Sequence, residues 1–197
     1  MQENQLSIGC VLMAAGNSRR FGSNKLSVRL DGLTLAEYAL NAIPSEVFSR
    51  VVVVTQYPEI LEQAKNRGFM VKANLEPELG LSHTIHIGME ALSDMDAILF
   101  LVADQPMLRQ ETIENVVLLF REHSDRIVVA GHNGRRGNPC IFPREFYEEL
   151  LALTGDLGGV VVSKAHEDRI LCFNVEDVRE LIDVDTEHTL SELMKTP

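Results

Sequence analysis

The sequence has no long apolar run. The longest, residues 51–55 and 97–103, are strand-sized and fall far short of the about 20 residues that cross a bilayer, so no membrane span is expected. Cysteine is scarce. Cys10, Cys140 and Cys172 form an odd, widely separated set without a C-x-x-C pair, and the polar start MQENQLS has no signal-peptide character. That excludes a disulfide framework and makes a reducing cytoplasm the expected setting. Dense basic clusters are missing as well. With 18 Lys and Arg against 29 Asp and Glu, the net charge of −11 repels a polyanion and argues against a nucleic-acid partner. Small anions need only a local pocket of donors, which an acidic protein can still supply. The chain also shows no internal repeat, low-complexity tract or break in composition. At 197 residues and 45% hydrophobic content it reads as one domain, residues 1–197, able to bury its own core.

What is present is an alternation of short β-rich runs with segments of helical period. Strands are expected at residues 8–14, 50–55, 69–71, 97–103 and 126–130, and helices at 35–43, 59–67, from about Ser82, and at 111–123. Such alternation predicts an α/β fold of βαβ units around a mostly parallel sheet. Residues 131–139, GHNGRRGNP, are dense in glycine and turn formers and read as an exposed loop. Beyond them come a short strand at 140–143, helical stretches at 143–153 and 158–166, extended ones at 170–175 and 181–184, and a last helix at 186–195.

In open α/β sheets ligands collect outside the carboxyl ends of the strands, so the loops that follow strands are the informative ones. The first holds Gly16, Ser18, Arg19, Arg20, Gly22 and Lys25 within ten residues. Small residues let backbone N–H groups approach phosphate oxygens, and the cations add charge-assisted bonds, although a solvated turn has the same composition. The spacing is that of neither a Walker loop nor a G-x-G-x-x-G. In AILFLVADQP, Asp104 stands just past an apolar strand, where a carboxylate is either a helix cap or a metal ligand. Asp183 and Asp185 in ELIDVDTEHTL are two apart and would share one side of a strand, while Asp185 or Thr186 could instead cap the last helix. Ser82 is a natural N-cap. His83 and His86 have no third partner at zinc spacing.

Six segments between residues 8 and 193 resemble motifs of the nucleotidyltransferases of molybdenum cofactor biosynthesis, a MobA-like superfamily. LMAAGNSRRFGSNKL is similar to L-A-A-G-x-S-x-R-M/F-G-x-x-K-L, DQP to D-x-P, and GLSHTIHIG to G-L-S-x-S/T-I/L-x-x-G. GRRGNPCIF resembles G-x-x-G-x-P-x-x-F, LTGDLGG resembles L-x-G-D-x-G-A, and DVDTEHTL resembles D-I-D-T-P-E-D-L, with Glu187 and His188 in place of Pro and Glu. The resemblance implies a three-layer Rossmann-like fold with a mixed, mostly parallel sheet. It puts Ala14, Ala15, Gly16, Arg19 and Lys25 around a triphosphate, Gly80, Leu81 and Ser82 beside base and ribose, and Ala103 next to them. Asp104 and Asp185 would hold Mg²⁺. Asn138, Pro139, Gly155 and Asp156 would line the second-substrate side, with Asn138 where His is frequent.

Within the superfamily, Ala15 and Asn24 stand where the GMP-attaching relatives favour Gly and Asp, and this resemblance points to molybdenum cofactor cytidylyltransferases. The implied reaction joins CTP to the molybdopterin cofactor and releases pyrophosphate, with Arg19, Lys25 and Asp104 as the catalytic set. A molybdenum hydroxylase would then receive the product. Two alternatives are a transferase with a sugar-phosphate or alcohol-phosphate acceptor and a non-catalytic cofactor-binding accessory protein.

Overall fold

The computed structural model describes residues 6–17 and 24–195. Strand β1 (Ile8–Ala14) is wholly buried, flanked in parallel by β4 (Arg50–Thr55) on one side and β6 (Ala97–Val102) on the other. Continuous apolar runs of this kind belong to strands covered on both faces. β5 (Met70–Ala73) lies outside β4, completing one half of the sheet. On the other half, β7 (Ile127–His132), β8 (Arg135–Pro143) and β9 (Ile170–Asn174) give the order β5-β4-β1-β6-β8-β7-β9, in which β8 alone runs antiparallel to its neighbours. A two-residue pair, β2 (Arg29–Leu30) and β3 (Leu33–Thr34), forms a separate small hairpin.

The period of two in each strand divides the core. Cys10, Leu12, Val53, Leu99 and Leu101 face one side with α1 (Leu35–Asn41), α2 (Pro58–Asn66), α4 (Gln110–Glu122) and α7 (Glu187–Lys195). Val11, Val52, Ile98 and Phe100 face the other with α3 (Leu81–Ala91), α5 (Tyr147–Leu151) and α6 (Val160–Ala165). The layers are therefore helix, sheet, helix, as expected. Thr34 starts α1 with a capping box, accepting from Glu37 N–H while Glu37 accepts from Thr34 N–H. The three cysteines are free thiols, and burial pushes Cys140 up to about 12.

Four local expectations are corrected. Residues 131–139 are not a loop: β7 and β8 pair through Gly131–Arg136 and His132–Arg135, and only the positive-φ pair Asn133 and Gly134 turns the hairpin. Backbone pairing tolerates the polar side chains there, and a register shift between Val129 and Gly131 absorbs the irregularity. Residues 181–184 make no strand. Val178–Leu181 is a 3-10 turn, and Val184 docks by donating its N–H to the Asp104 carbonyl at 2.8 Å rather than joining a ladder. Ser82 does not cap α3, because Gly80 occupies the cap position and Ser82 is buried inside the first turn. Finally, the helical stretch from residue 143 opens with a 3-10 turn, Arg144–Phe146, before α5.

Candidate active site

The carboxyl ends of β1 and β6, the loop after β5 and the loop before α6 enclose a cleft of about 410 Å³. Its walls include Ala14, Ala15, Gly16 and Asn17 from the first loop, Lys25 from the 3-10 turn behind it, and Ala103 and Asp104 beyond β6. Pro77, Glu78, Gly80, Leu81 and Thr84 form the opposite wall, with Asp156 and Asp185 at the rim. Asn24 holds Lys25 in place, accepting from Leu26 N–H at 3.0 Å as the cap of the turn.

Lys25 is the electrostatic centre. Its ammonium donates to Asp104 Oδ2 at 2.6 Å and to Asp185 Oδ1 at 2.7 Å, with side-chain exposures of 14% for the lysine, 19% for Asp104 and 50% for Asp185. Burial is the largest single influence and would lower the lysine pKa, but Asp104 and then Asp185 outweigh it, and the net direction is upward. Lys25 therefore stays charged. Asp183 stands behind this group, accepting from Gln105 Nε2 at 2.9 Å. Packing around its carboxyl, and next the nearby Asp104 charge, push its pKa up, although the side chain reaches solvent and the rise is limited accordingly. Thr186 caps α7 by accepting from Thr189 N–H, which leaves the Asp185 carboxylate to Lys25.

The backbone of the cleft is set by close approach. Gly80 has φ of 90°, and a Cβ there would strike the Gly155 carbonyl, so the α3 cap and the loop before α6 touch backbone to backbone. The Gly155 carbonyl also accepts from Ser82 N–H at 3.0 Å, satisfying one of the unpaired donors of the helix start. Gly155 and Asp156 thus sit against the wall made by Gly80 and Leu81. Asn138 lies elsewhere.

Next to the cleft is a second pocket of about 500 Å³, lined by Gln105, Asp183, His132, Asn138 and the hairpin arginines Arg135 and Arg136. Pro139 is buried behind it. β8 pairs with β6 only from Cys140 onward, and the space left beyond that point is this pocket. His132 is committed to the hairpin: its Nδ1 lies 2.9 Å from the Val175 carbonyl and its Nε2 3.0 Å from Asn133 Nδ2. Asp104, Asp183 and Asp185 separate the two spaces.

The structure brings together Ala14, Ala15, Gly16, Lys25, Gly80, Leu81, Ala103, Asp104 and Asp185 around one cleft, while Ser82 anchors the wall from within. Arg19 lies outside the described residues. Sequence reasoning did not find Thr55, Gln56 and Tyr57, which brace the first loop, or Glu180, which is 2% exposed and accepts from Arg109 N–H and the Thr112 hydroxyl at the start of α4. In the sequence the first three merely end and follow a strand, as turn-entry residues do, and only the pairing of β1 with β4 reveals them. Among the described residues no cluster of three or more His, Cys, Asp or Glu could hold a metal by itself. A pair of carboxylates does converge, and the buried Asp104 Oδ1 has no hydrogen-bond partner among them.

Fold and cleft together are those of a Rossmann-like nucleotidyltransferase. The family model described as the MobA-like NTP transferase domain matches residues 10–170, and the chain belongs to that family. It is 27% identical over 192 residues to the purine catabolism protein PucB of Bacillus subtilis, covering 89% of this chain and 90% of that one. A probable molybdenum cofactor guanylyltransferase of Natranaerobius thermophilus is 28% identical over 131 residues, spanning 64% of this chain and 62% of the relative. Among solved structures, a nucleotidyl transferase from Methanothermobacter thermautotroptrophicus superposes with a TM-score of 0.80 at 20% identity, covering 96% of both chains. Rv0371C of Mycobacterium tuberculosis, crystallised as a complex with manganese, superposes at 0.72 with 20% identity, covering 97% of this chain and all of that one (100%).

Proposed function

We propose that the protein transfers the CMP portion of CTP to the terminal phosphate of a molybdopterin cofactor, forming a cytosine dinucleotide and releasing pyrophosphate. The observation that carries this reading is the Lys25 ammonium held between Asp104 and Asp185 in a cleft whose walls include the first loop and Gly80. An oxygen of the acceptor phosphate attacks the α-phosphorus of CTP, a new P–O–P bridge forms, and the bond to the β-phosphate oxygen breaks. Lys25 lies where it can neutralise charge on the α-phosphate, and Arg19 is assigned the departing pyrophosphate by resemblance alone. A phosphate monoester with a second pKa of about 6 is already mostly dianionic at pH 7, so it needs no general base. That agrees with the commitment of His132 to its hairpin.

Three carboxylates beside one ammonium make poor company for a triphosphate unless a cation joins them. Asp104, with its buried unpartnered oxygen, and Asp185 suit a divalent cation whose remaining positions go to water and phosphate oxygens, as is usual for magnesium. Bound there, Mg²⁺ would supply Lewis-acid stabilisation of the phosphoryl oxygens. The preference for CTP rests on Ala15 and Asn24, and the acceptor on the pocket behind Asp104 together with the likeness to the molybdenum cofactor enzyme.

The test is to incubate the protein with Mg²⁺, molybdopterin cofactor and each nucleoside triphosphate in turn, and to measure pyrophosphate. Release with CTP is expected. With sugar and alcohol phosphates run as parallel acceptors, no release with any pair removes catalysis and leaves an accessory binding protein, release with GTP alone removes the cytidylyl assignment, and release only with sugar or alcohol phosphates replaces the acceptor. Asp104→Ala is expected to abolish turnover with the circular dichroism unchanged.

A further inference from the structure

Three consecutive carbonyls of the first loop are taken by three consecutive side chains of another strand end. The Ala14 carbonyl accepts from Thr55 Oγ1 at 2.7 Å, the Ala15 carbonyl from Gln56 Nε2 at 2.8 Å, and the Gly16 carbonyl from the Tyr57 hydroxyl at 2.8 Å. Gln56 also donates to Asn17 Oδ1 at 3.0 Å, so one amide group holds two points of the loop. The register explains the match: β1 and β4 are parallel, with Ala14 opposite Thr55, and both chains leave the sheet side by side. Thr55 Oγ1 in turn accepts from Tyr57 N–H at 3.1 Å, which sets the path of the bracing segment itself.

A peptide plane points its C=O and N–H in opposite directions when the bond is trans, as these bonds are. Fixing the Ala14, Ala15 and Gly16 carbonyls toward β4 therefore directs the N–H groups of Ala15, Gly16 and Asn17 away from β4. These residues line the cleft. Successive N–H groups with a common direction bind anions, and donors fixed before the ligand arrives incur no reorganisation when charge appears. The same bonds turn the Ala14, Ala15 and Gly16 carbonyls away from a phosphate oxygen, a contact between like partial charges.

We infer that Thr55, Gln56 and Tyr57 are positioning residues that preorganise the backbone N–H groups of Ala15, Gly16 and Asn17 to receive the nucleotide's phosphates. They touch no reacting atom and act through the loop. The inference rests on the nucleotidyl-transfer reading for the identity of the ligand, but it makes a separate statement about how that ligand is held. Gln56 is the central member because it bonds both to the backbone and to the Asn17 side chain.

The experiment compares Tyr57→Phe, Gln56→Glu and Gln56→Ala with the unmodified protein, measuring the affinity for CTP, inorganic tripolyphosphate and cytidine in Mg²⁺ by calorimetry. Tyr57→Phe removes one hydroxyl from a partly exposed ring, and Gln56→Glu replaces the donating amide with an acceptor of the same shape. Loss of one such hydrogen bond is expected to weaken CTP and tripolyphosphate roughly three- to tenfold, with cytidine unchanged. Gln56→Glu should have the larger effect, since it turns attraction to the Ala15 carbonyl into repulsion. Thr55→Ser, which keeps the hydroxyl, should bind like the unmodified protein, whereas Thr55→Val should not. Equal weakening of cytidine and CTP, or no weakening of either, overturns the positioning role while leaving nucleotidyl transfer intact. Failure of the unmodified protein to bind CTP or tripolyphosphate overturns both.

Discussion

Replacing Lys25 by Met separates what the ammonium contributes to folding from what it contributes to chemistry. Methionine keeps the length of the side chain but removes the counter-charge that Asp104 and Asp185 share among the described residues. Removing one partner of a fully buried pair costs about 3–5 kcal/mol, whereas exposed pairs are worth about 0–1 kcal/mol. With Lys25 and Asp104 mostly covered and Asp185 half open, the loss should be about 2 kcal/mol. For a chain of this size that corresponds to a fall in Tm of roughly 4–8 °C. The Lys25 pKa is raised on folding, so its contribution is fully present below the ordinary lysine value of about 10.4 and is lost as pH rises through the higher folded value. The deficit should therefore be flat from pH 6 to 9 and shrink in alkali. Differential scanning calorimetry with and without Mg²⁺ provides the second readout. The divalent cation should recover more stability in Lys25→Met than in the unmodified protein, because it occupies carboxylates the ammonium has vacated, while pyrophosphate release stays down by about 10²–10³. An unchanged Tm, or equal magnesium effects in the two proteins, would refute the central place given to this lysine.

Other perturbations report on the supports of the site. Asp183→Asn should raise stability at pH 7 by roughly a few tenths of a kcal/mol, limited by the carboxyl's solvent access, because folding raises the Asp183 pKa and so disfavours its charged form. The advantage should vanish near pH 3, where both side chains are neutral, and chemical denaturation at the two pH values checks this. Glu180→Ala should cost about 2–3 kcal/mol in urea unfolding, since Arg109 N–H and the Thr112 hydroxyl at 2.5 Å lose a shared charged acceptor; Glu180→Gln should restore much of that. Gly80→Ala should lose about 1–3 kcal/mol and weaken CTP binding, because the residue sits at φ of 90° against the Gly155 backbone. Thermal melts and nucleotide titrations would show a mistaken reading as a variant indistinguishable from the parent.

The parts of the fold legible in the sequence are those that hydrophobicity alone determines. β1 and β4 have the bounds expected of them, residues 8–14 and 50–55, and β6 ends one residue earlier than its apolar run, at Val102. The outer half of β8 was not legible. Arg135, Arg136, Gly137 and Asn138 have turn composition, and the pairing of the two arginines with β7 depends on backbone groups that side-chain chemistry does not reveal. The apolar residues at 181–184 suggested a strand, but Leu181 closes a 3-10 turn and Val184 is buried with its N–H given to the Asp104 carbonyl of the β6–α4 loop. At the site, Asp104 stands out as a carboxylate just past an apolar strand, whereas Lys25 and Asp185 are singled out by the family resemblance. Thr55, Gln56 and Tyr57 look like ordinary turn-entry residues, and their role appears only once β1 and β4 are side by side.

β8 enters the sheet against the direction of its neighbours, so its first residues, not its last, reach the edge where Asp104 stands. The wall beside the nucleotide cleft is thereby hung from a hairpin whose turn, Asn133–Gly134, projects into solvent, while its root, Cys140 to Pro143, is locked to β6. Length or charge can change at the tip without moving the root. The molecule is consequently modular across a row of carboxylates, with a chamber fixed by buried strands on the β1 side and an adjustable one on the β8 side, and a graft of the hairpin alone is the natural unit for redesigning what the second chamber admits.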